Sequence, residues 1–215
     1  MNAEKRYRIY ATLAKANSNP KTELEFGNPF QLLIAVLLSA QATDKSVNAA
    51  TRRFFPTVKT PADLLAMGEA NLADAIKTIG LFRNKAKNAI ATAQQLITLH
   101  GGEVPHDRAA LEALPGVGRK TANVVLNEAF GDATLAVDTH VFRVANRMKL
   151  APGKTVDDVE RKLMKFTPPE FLRGAHHWLI LHGRYTCVAR NPKCGICPVF
   201  DDCEFAGKAK SEPFP

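Results

Sequence analysis

All four cysteines of the chain lie within one stretch of 17 residues near its C-terminal end. They are Cys187, Cys194, Cys197 and Cys203. Six, two and five residues separate them in turn, a spacing typical of metal ligands. Neighbouring thiolates repel one another, so a cation has to hold them together, and the loops between them then fold without a core of their own. The cluster predicts a metal centre. Spacing alone leaves zinc and an iron–sulfur cluster open, because only Cys194 and Cys197 form the close pair usual for structural zinc.

The charge of the chain favours a polyanionic partner. Its 215 residues include 29 Lys and Arg against 21 Asp and Glu, a formal net charge of +8. Such a surplus most often matches nucleic acid, with an ordinary basic protein as the alternative. The N-terminus is charged without an apolar core, and the longest apolar run, Leu32 to Leu38, is too short to cross a bilayer. We therefore expect no membrane partner and a cytoplasmic, nucleoid-associated location, in which thiols stay reduced.

The pattern of apolar residues predicts an all-α fold. They recur at helical spacing in segments of roughly ten to fifteen residues, with clear start and stop signals between segments. Thr60 begins a capping-box-like start with proline at the first helical position, and Gly101 ends a long helix. Only residues Thr134 to Val144 are rich in β-branched side chains, and no second segment of that character could pair with them. The tail after Gly207 is predicted to be disordered.

A glycine-rich turn joins two of the predicted helices, with the sequence Leu-Pro-Gly-Val-Gly-Arg-Lys-Thr starting at Leu114. Pro115 stops the preceding helix, and Gly116 and Gly118, which flank Val117, permit a tight turn. The next helix then begins with free backbone amides, an anion site suited to a DNA phosphate. The motif fits neither a nucleotide P-loop nor a dinucleotide fingerprint. A simple αα-hairpin is the alternative interpretation.

Two charged residues near this turn are candidates for catalysis. Lys120 lies in the first turn of the second helix, where the positive helix end disfavours an ammonium group. A lysine placed against this preference is a candidate amine nucleophile, with a solvated surface lysine as the alternative. Asp138 follows an apolar run and precedes the predicted helix Val141 to Leu150. It is either an N-cap worth about 1 kcal/mol or a carboxylate that stabilises a developing positive charge.

In combination, the glycine turn, the Lys120 and Asp138 pair and the C-x6-C-x2-C-x5-C cluster resemble the endonuclease III family of DNA repair glycosylases. The resemblance runs from about Glu23 to Cys203. Two further stretches share it, Leu38 to Asp44 and His176 to Arg184. The cysteine spacing joined to the hairpin is the most specific part of the match.

The resemblance implies two helical domains that flank a DNA-binding cleft. Residues 22–132 would form a six-helix barrel with the helix-hairpin-helix. Residues 1–21 and 133–215 would form a second domain whose four cysteines hold a 4Fe-4S cluster. The protein is expected to be a monomer that binds double-stranded DNA containing damaged pyrimidines or abasic sites.

The implied activity is that of a bifunctional DNA glycosylase and AP lyase acting on oxidised or ring-saturated pyrimidines. Lys120 would attack C1′ of the flipped nucleotide and form a Schiff base, and β-elimination would cut the strand 3′ to the lesion. Asp138 would stabilise the cationic sugar, help to deprotonate Lys120, or both. Gln41 and Leu81 would wedge into the duplex and fill the gap left by the flipped base.

The loop between Cys187 and Cys194 contains two basic residues, Arg190 and Lys193. We expect them to reach DNA phosphates while the cluster fixes the shape of the loop.

The sequence leaves two alternatives to a pyrimidine-specific glycosylase and lyase. An adenine-excising relative would lack the nucleophilic lysine and have an additional C-terminal domain. A non-catalytic DNA-binding module would use the hairpin for phosphate and the metal for folding.

Overall fold

The structure, a computed structural model, describes residues 1–209, and residues 210–215, which include most of the tail predicted to be disordered, lie outside that description. Within residues 1–209 the chain forms eleven α-helices and two short 3₁₀ turns, with no β-strand. The prediction of an all-α fold is confirmed. No helix in this range is both long and apolar enough to span a membrane. The helices are α1 (Ala3–Ala16), α2 (Pro29–Leu38), α3 (Asp44–Thr51), α4 (Pro61–Met67), α5 (Glu69–Ala75), α6 (Phe82–His100), α7 (Arg108–Glu112), α8 (Arg119–Phe130), α9 (Thr139–Arg147), α10 (Val156–Phe166) and α11 (Leu172–Tyr185).

The chain divides into two compact units. The first, here called the hairpin unit, is Thr22–Gly131 and contains α2 to α8. The second, the cysteine unit, is Met1–Lys21 together with the chain from Asp132 onward, and it contains α1, α9, α10 and α11. The first 21 residues therefore belong to the same unit as the C-terminal part of the chain.

Helix α2 is the centre of the hairpin unit. Asn28 accepts a hydrogen bond from the backbone amide of Gln31 and so caps the helix, and Pro29 occupies its first turn. Every residue from Phe30 to Leu38 is buried, as expected for a helix that is apolar on all sides. Helices α3, α6 and α8 pack against it. Helix α8, which follows the glycine turn, thus packs on the same apolar helix as α6.

The core of the cysteine unit lies between α9 and α11. Gly183 of α11 is so close to α9 that a Cβ atom added there would lie 3.0 Å from the Cβ of His140. Helix α1 joins this core through the indole of Trp178, which donates a hydrogen bond to the carbonyl of Asn17 at 2.8 Å. The N-terminal helix is therefore an integral part of the unit.

The β-branched segment Thr134 to Val144 is divided between two conformations. Residues 132–138 form neither helix nor strand, and α9 begins at Thr139. The helix starts two residues before the predicted Val141 because Asp138 accepts hydrogen bonds from its first amides. It ends at Arg147, and not at the predicted Leu150.

Candidate active site and metal centre

The glycine turn is supported from below by two side chains of α6. Gly116 has a φ of +75°, and a Cβ atom there would lie 2.7 Å from Nδ2 of Asn88. Both the backbone angle and the close contact therefore require glycine at this position. The hydroxyl of Thr92, which is fully buried, donates a hydrogen bond to the carbonyl of Pro115 at 2.9 Å. Helix α6 thus fixes the position and orientation of the turn backbone.

The turn presents its glycine backbone to solvent, and the side chain of Val117 points inward. Gly116 and Gly118 are exposed, whereas Val117 is buried and its amide donates to the carbonyl of Leu114. Val117 is thus an anchor of the turn. Gly118 is the N-cap of α8 and offers no side chain to its first amides. That end of α8 retains the character of an anion site.

Lys120 lies in the first turn of α8, within the hairpin unit, and its side chain is exposed to solvent. The first turn contains no acidic residue that would neutralise its charge. The position of this exposed amine at the positive end of the helix is the feature that sets it apart.

Asp138 lies in the cysteine unit and is half-buried. Its Oδ1 accepts hydrogen bonds from the backbone amides of His140 and Val141, at 2.9 and 2.8 Å. It is therefore the N-cap of α9, as one of the two sequence interpretations predicted. Its Oδ2 has no hydrogen-bond partner among residues 1–209 and is available to a ligand.

Gln41 and Leu81 are both exposed and both have a left-handed backbone. Their φ angles are +53° and +59°. Leu81 is the N-cap of α6, and 60% of its surface is accessible, so it is not a buried loop anchor. A left-handed conformation costs a residue other than glycine on the order of 1–3 kcal/mol, and such costs concentrate at functional sites.

The four cysteines surround one cavity, which is also lined by Arg147, His182 and Lys208. None of them forms a disulfide. Burial raises the pKa of the Cys197 thiol to about 11, and the other three cysteines add to this effect through charge repulsion. Thiolates at this site therefore need a cationic partner.

The donor set fits an iron–sulfur cluster. No three His, Cys, Asp or Glu side chains in the described part of the chain are arranged to hold a single metal ion. In a 4Fe-4S cluster four cysteine thiolates hold the cluster together, so the ligands surround a cavity. Two cationic or polar groups already face the sulfurs: Arg147 lies 3.6 Å from Sγ of Cys187, and Nε2 of His182 lies 3.9 Å from Sγ of Cys197.

The loop that follows Cys187 is held at its base and exposed at its tip. Arg147 donates hydrogen bonds to the carbonyls of Val188 and Ala189, at 2.7 and 3.0 Å. At the tip, Arg190 and Lys193 are both exposed. The loop thus presents two cations on a fixed base.

Sequence reasoning missed two of the residues that organise this unit. Arg143 donates to the carbonyls of Cys187 and Gly183, at 3.1 and 2.7 Å, and Arg147 adds the contacts described above. The available signal was two arginines four residues apart on the predicted helix, which places both on one face. Their partners lie about 40 residues away, and helix periodicity does not identify them.

Comparison with known proteins gives matches over nearly the whole chain. Residues 34–169 match the family described as HhH-GPD superfamily base excision DNA repair protein, and residues 187–203 match the iron-sulfur binding domain of endonuclease III. Endonuclease III of Escherichia coli (strain K12) is 60% identical over 208 residues, which is 97% of this chain and 99% of that protein. Endonuclease III of Haemophilus influenzae is 58% identical over 98% of this chain and 100% of that protein. A solved structure of a trapped endonuclease III–DNA covalent intermediate superimposes with a TM-score of 0.88 at 44% identity, covering 95% of this chain and 96% of that one.

Proposed function

Because the chain belongs to the endonuclease III family, within the HhH-GPD superfamily of base excision DNA repair proteins, we propose that Lys120 and Asp138 carry out its reaction. The protein is a bifunctional DNA glycosylase and AP lyase, which removes damaged bases from DNA and cuts the strand at the abasic site. The observation that carries the proposed roles is the position of Lys120, an exposed amine at the start of α8 directly after the glycine turn.

The proposed reaction begins with a damaged pyrimidine turned out of the duplex, since C1′ of its sugar is shielded inside the stack. The neutral amine of Lys120 attacks C1′, the bond from C1′ to the base breaks, and the base leaves with a proton. The sugar ring then opens as the lysine nitrogen forms a protonated imine with C1′. This imine acidifies the C2′ proton, and its loss expels the 3′ phosphate, which cuts the strand.

Asp138 is proposed to stabilise the positive charge that develops on the sugar as the base leaves, to accept a proton from Lys120, or both. The hydrogen bonds from the amides of α9 hold its Oδ1, and Oδ2 is left for the reacting groups. A carboxylate that is oriented before the reaction needs no reorganisation during it, which is the main advantage of preorganised charge in catalysis.

We propose three sets of DNA contacts. The backbone around Gly116, Val117 and Gly118 and the start of α8 bind a phosphate, as the uncapped amides of this helix allow. Gln41 and Leu81 enter the duplex beside the flipped nucleotide, where an exposed apolar tip can replace the lost stacking. The third set, Arg190 and Lys193, contacts phosphates from the loop after Cys187.

The protein carries a 4Fe-4S cluster. We propose Cys187, Cys194, Cys197 and Cys203 as its ligands, because they surround one cavity. When bound, the cluster supplies the positive charge that the thiolates need and orders the loops between them.

We assign residues 22–132 to the domain with the helix-hairpin-helix and residues 1–21 with 133–215 to the cluster domain. The preferred substrates are oxidised or ring-saturated pyrimidines, and the enzyme acts as a monomer on nucleoid DNA.

Reductive trapping tests the role of Lys120. Borohydride reduces the imine between the enzyme and an abasic sugar to a stable amine, so the wild-type enzyme is expected to form a covalent complex with a duplex containing thymine glycol or an abasic site. The Lys120→Ala variant is expected to form none. The control is Lys154→Ala, which removes another exposed lysine, in the cysteine unit, and is expected to trap like the wild type.

Two results would contradict this assignment. The absence of a trapped complex with the wild-type enzyme would exclude the lyase mechanism through an imine. A complex of normal yield with Lys120→Ala would place the nucleophile on another amine.

A further inference from the structure

The segment that leads to Asp138 has no regular secondary structure. Residues 132–138 connect the end of α8 to the start of α9. The side chains of Leu135, Ala136 and Val137 are each at most 4% exposed, so this backbone passes through the interior of the cysteine unit. Buried backbone groups outside helices and sheets require hydrogen-bond partners elsewhere in the fold. The position of those partners determines where the segment lies.

One such partner is His176 on α11. Its Nδ1 lies 2.9 Å from the carbonyl oxygen of Ala136, and only 3% of the residue is exposed. Because a carbonyl oxygen can only accept a hydrogen bond, Nδ1 carries the proton. This N–H is therefore a buried donor that holds the chain two residues before Asp138.

Asp138 is thus held from both sides along the chain. Downstream, the amides of His140 and Val141 bind its Oδ1. Upstream, α11 holds the carbonyl of Ala136. The downstream hydrogen bonds fix the carboxylate on α9, and the upstream one fixes the path by which the backbone enters that helix.

We propose that His176 is a positioning residue for the glycosylase reaction. Its Nδ1–H anchors the carbonyl of Ala136 and thereby sets the place and orientation of the Asp138 carboxylate. The inference rests on the proposed catalytic role of Asp138.

Two substitutions separate the hydrogen bond from simple packing. His176→Leu fills the core with an apolar side chain of similar size and removes the donor. His176→Asn leaves a smaller side chain, but its amide nitrogen is as many bonds from Cα as the imidazole Nδ1 and can donate to the same carbonyl. A packing role predicts that the variant with the larger loss of volume is the more impaired. A positioning role predicts that activity follows the donor.

Single-turnover base excision on a thymine-glycol duplex is the primary measurement, with the Kd for an uncleaved duplex as the second. We expect His176→Leu to slow the chemical step by about 10- to 100-fold, since small displacements of catalytic groups have effects of this size, and to leave Kd within about twofold. His176→Asn is expected to recover most of the lost rate. A rate for His176→Leu equal to that of the wild type, or for His176→Asn as low as that of His176→Leu, would overturn the proposal.

Asp138→Asn in the same assay distinguishes this proposal from the one on which it rests. Full activity of Asp138→Asn would overturn the catalytic role of Asp138 itself. A slow Asp138→Asn together with a fast His176→Leu would overturn only the role of His176. If His176 acts through Asp138, the double variant His176→Leu/Asp138→Asn is no slower than Asp138→Asn alone, whereas multiplied effects contradict that route.

A measurement on the unmodified protein keeps the proposal testable if His176→Leu does not fold. Nitrogen NMR of the holoenzyme with labelled histidine reports which ring nitrogen carries the proton. We expect the Nδ1–H form for His176 over the neutral pH range. A proton on Nε2 alone would remove the hydrogen bond to Ala136 and with it the proposal.

Discussion

At the scale of single residues, backbone strain marks the proposed DNA contacts. Four non-glycine residues among residues 1–209 have positive φ angles. Gln41 and Leu81 are the proposed wedges, and Asn191 lies at the tip of the loop after Cys187. The fourth, Lys149, follows the C-terminal end of α9, where a left-handed residue is common. Leu81 is the clearest case of strain, because a left-handed backbone is unfavourable for leucine and is tolerated much better by asparagine.

Substitution of Leu81 should separate the strain from the function. Leu81→Ala and Leu81→Gly both remove the wedge, so both are expected to slow base excision by about tenfold or more. Only glycine also relieves the left-handed backbone, so Leu81→Gly should be about 1 kcal/mol more stable than Leu81→Ala in urea unfolding. Normal base excision by Leu81→Ala would exclude the wedge, and equal stability of the two variants would exclude the strain.

At the scale of elements, α9 connects two functional parts of the cysteine unit. Its N-cap is Asp138, and its last residue, Arg147, holds the base of the loop after Cys187. Midway between them, Arg143 donates to the carbonyl of Cys187. The same nine-residue helix therefore positions the proposed catalytic carboxylate at one end and the proposed phosphate-binding loop at the other.

The loop should contribute to DNA affinity without contributing to sequence preference. Replacing Arg190 and Lys193 by alanine is expected to weaken DNA binding on any sequence and to reduce the slope of log Kd against log salt by about one to two units. The matched control replaces two other exposed lysines of the unit, Lys154 and Lys165, and should leave the slope unchanged. An unchanged slope in the loop variant would mean that the loop does not contact phosphates.

At the scale of the whole molecule, the two units differ in what stabilises them. The hairpin unit is organised around the buried helix α2. The cysteine unit has an apolar core between α9 and α11, and the chain from Cys187 to Lys208 surrounds the cysteine cavity. The chain contains one tryptophan, Trp178, which lies in the core of the cysteine unit. Its fluorescence therefore reports on the unit that contains the four cysteines.

Loss of the cluster should destabilise the cysteine unit. Cys203→Ser is expected to lose cluster absorbance and to lower the free energy of unfolding, followed by Trp178 fluorescence in urea, by several kcal/mol, about 3 or more. The reason is that the three remaining thiol groups lose the cation that joins their loops. Lys154→Ala serves as the control in the same unit. An unfolding curve of Cys203→Ser that coincides with that of the wild type would show that the cluster does not stabilise this unit.

Local sequence signals predicted the class of the fold and the type of chemistry. Helix caps, the turn at Gly116 and the spacing of the cysteines each depend on residues a few positions apart, and such patterns are legible without a structure. The end of α9 was misplaced by three residues, at Leu150 and not at Arg147. Helix ends are set by weak, competing hydrogen bonds, and their positions are correspondingly hard to predict.

The sequence by itself determined that the chain is helical, that a glycine-rich turn is followed by a lysine, and that four cysteines lie close together at metal-ligand spacing. Only the tertiary structure decided that His176 of α11 holds the carbonyl of Ala136, that Asn88 supports Gly116, and that Arg147 holds the loop after Cys187. The physical reason is the range of the interactions. Helix caps and turns form between near neighbours in the chain, whereas these contacts join residues about 30 to 40 positions apart and exist only once the helices have packed.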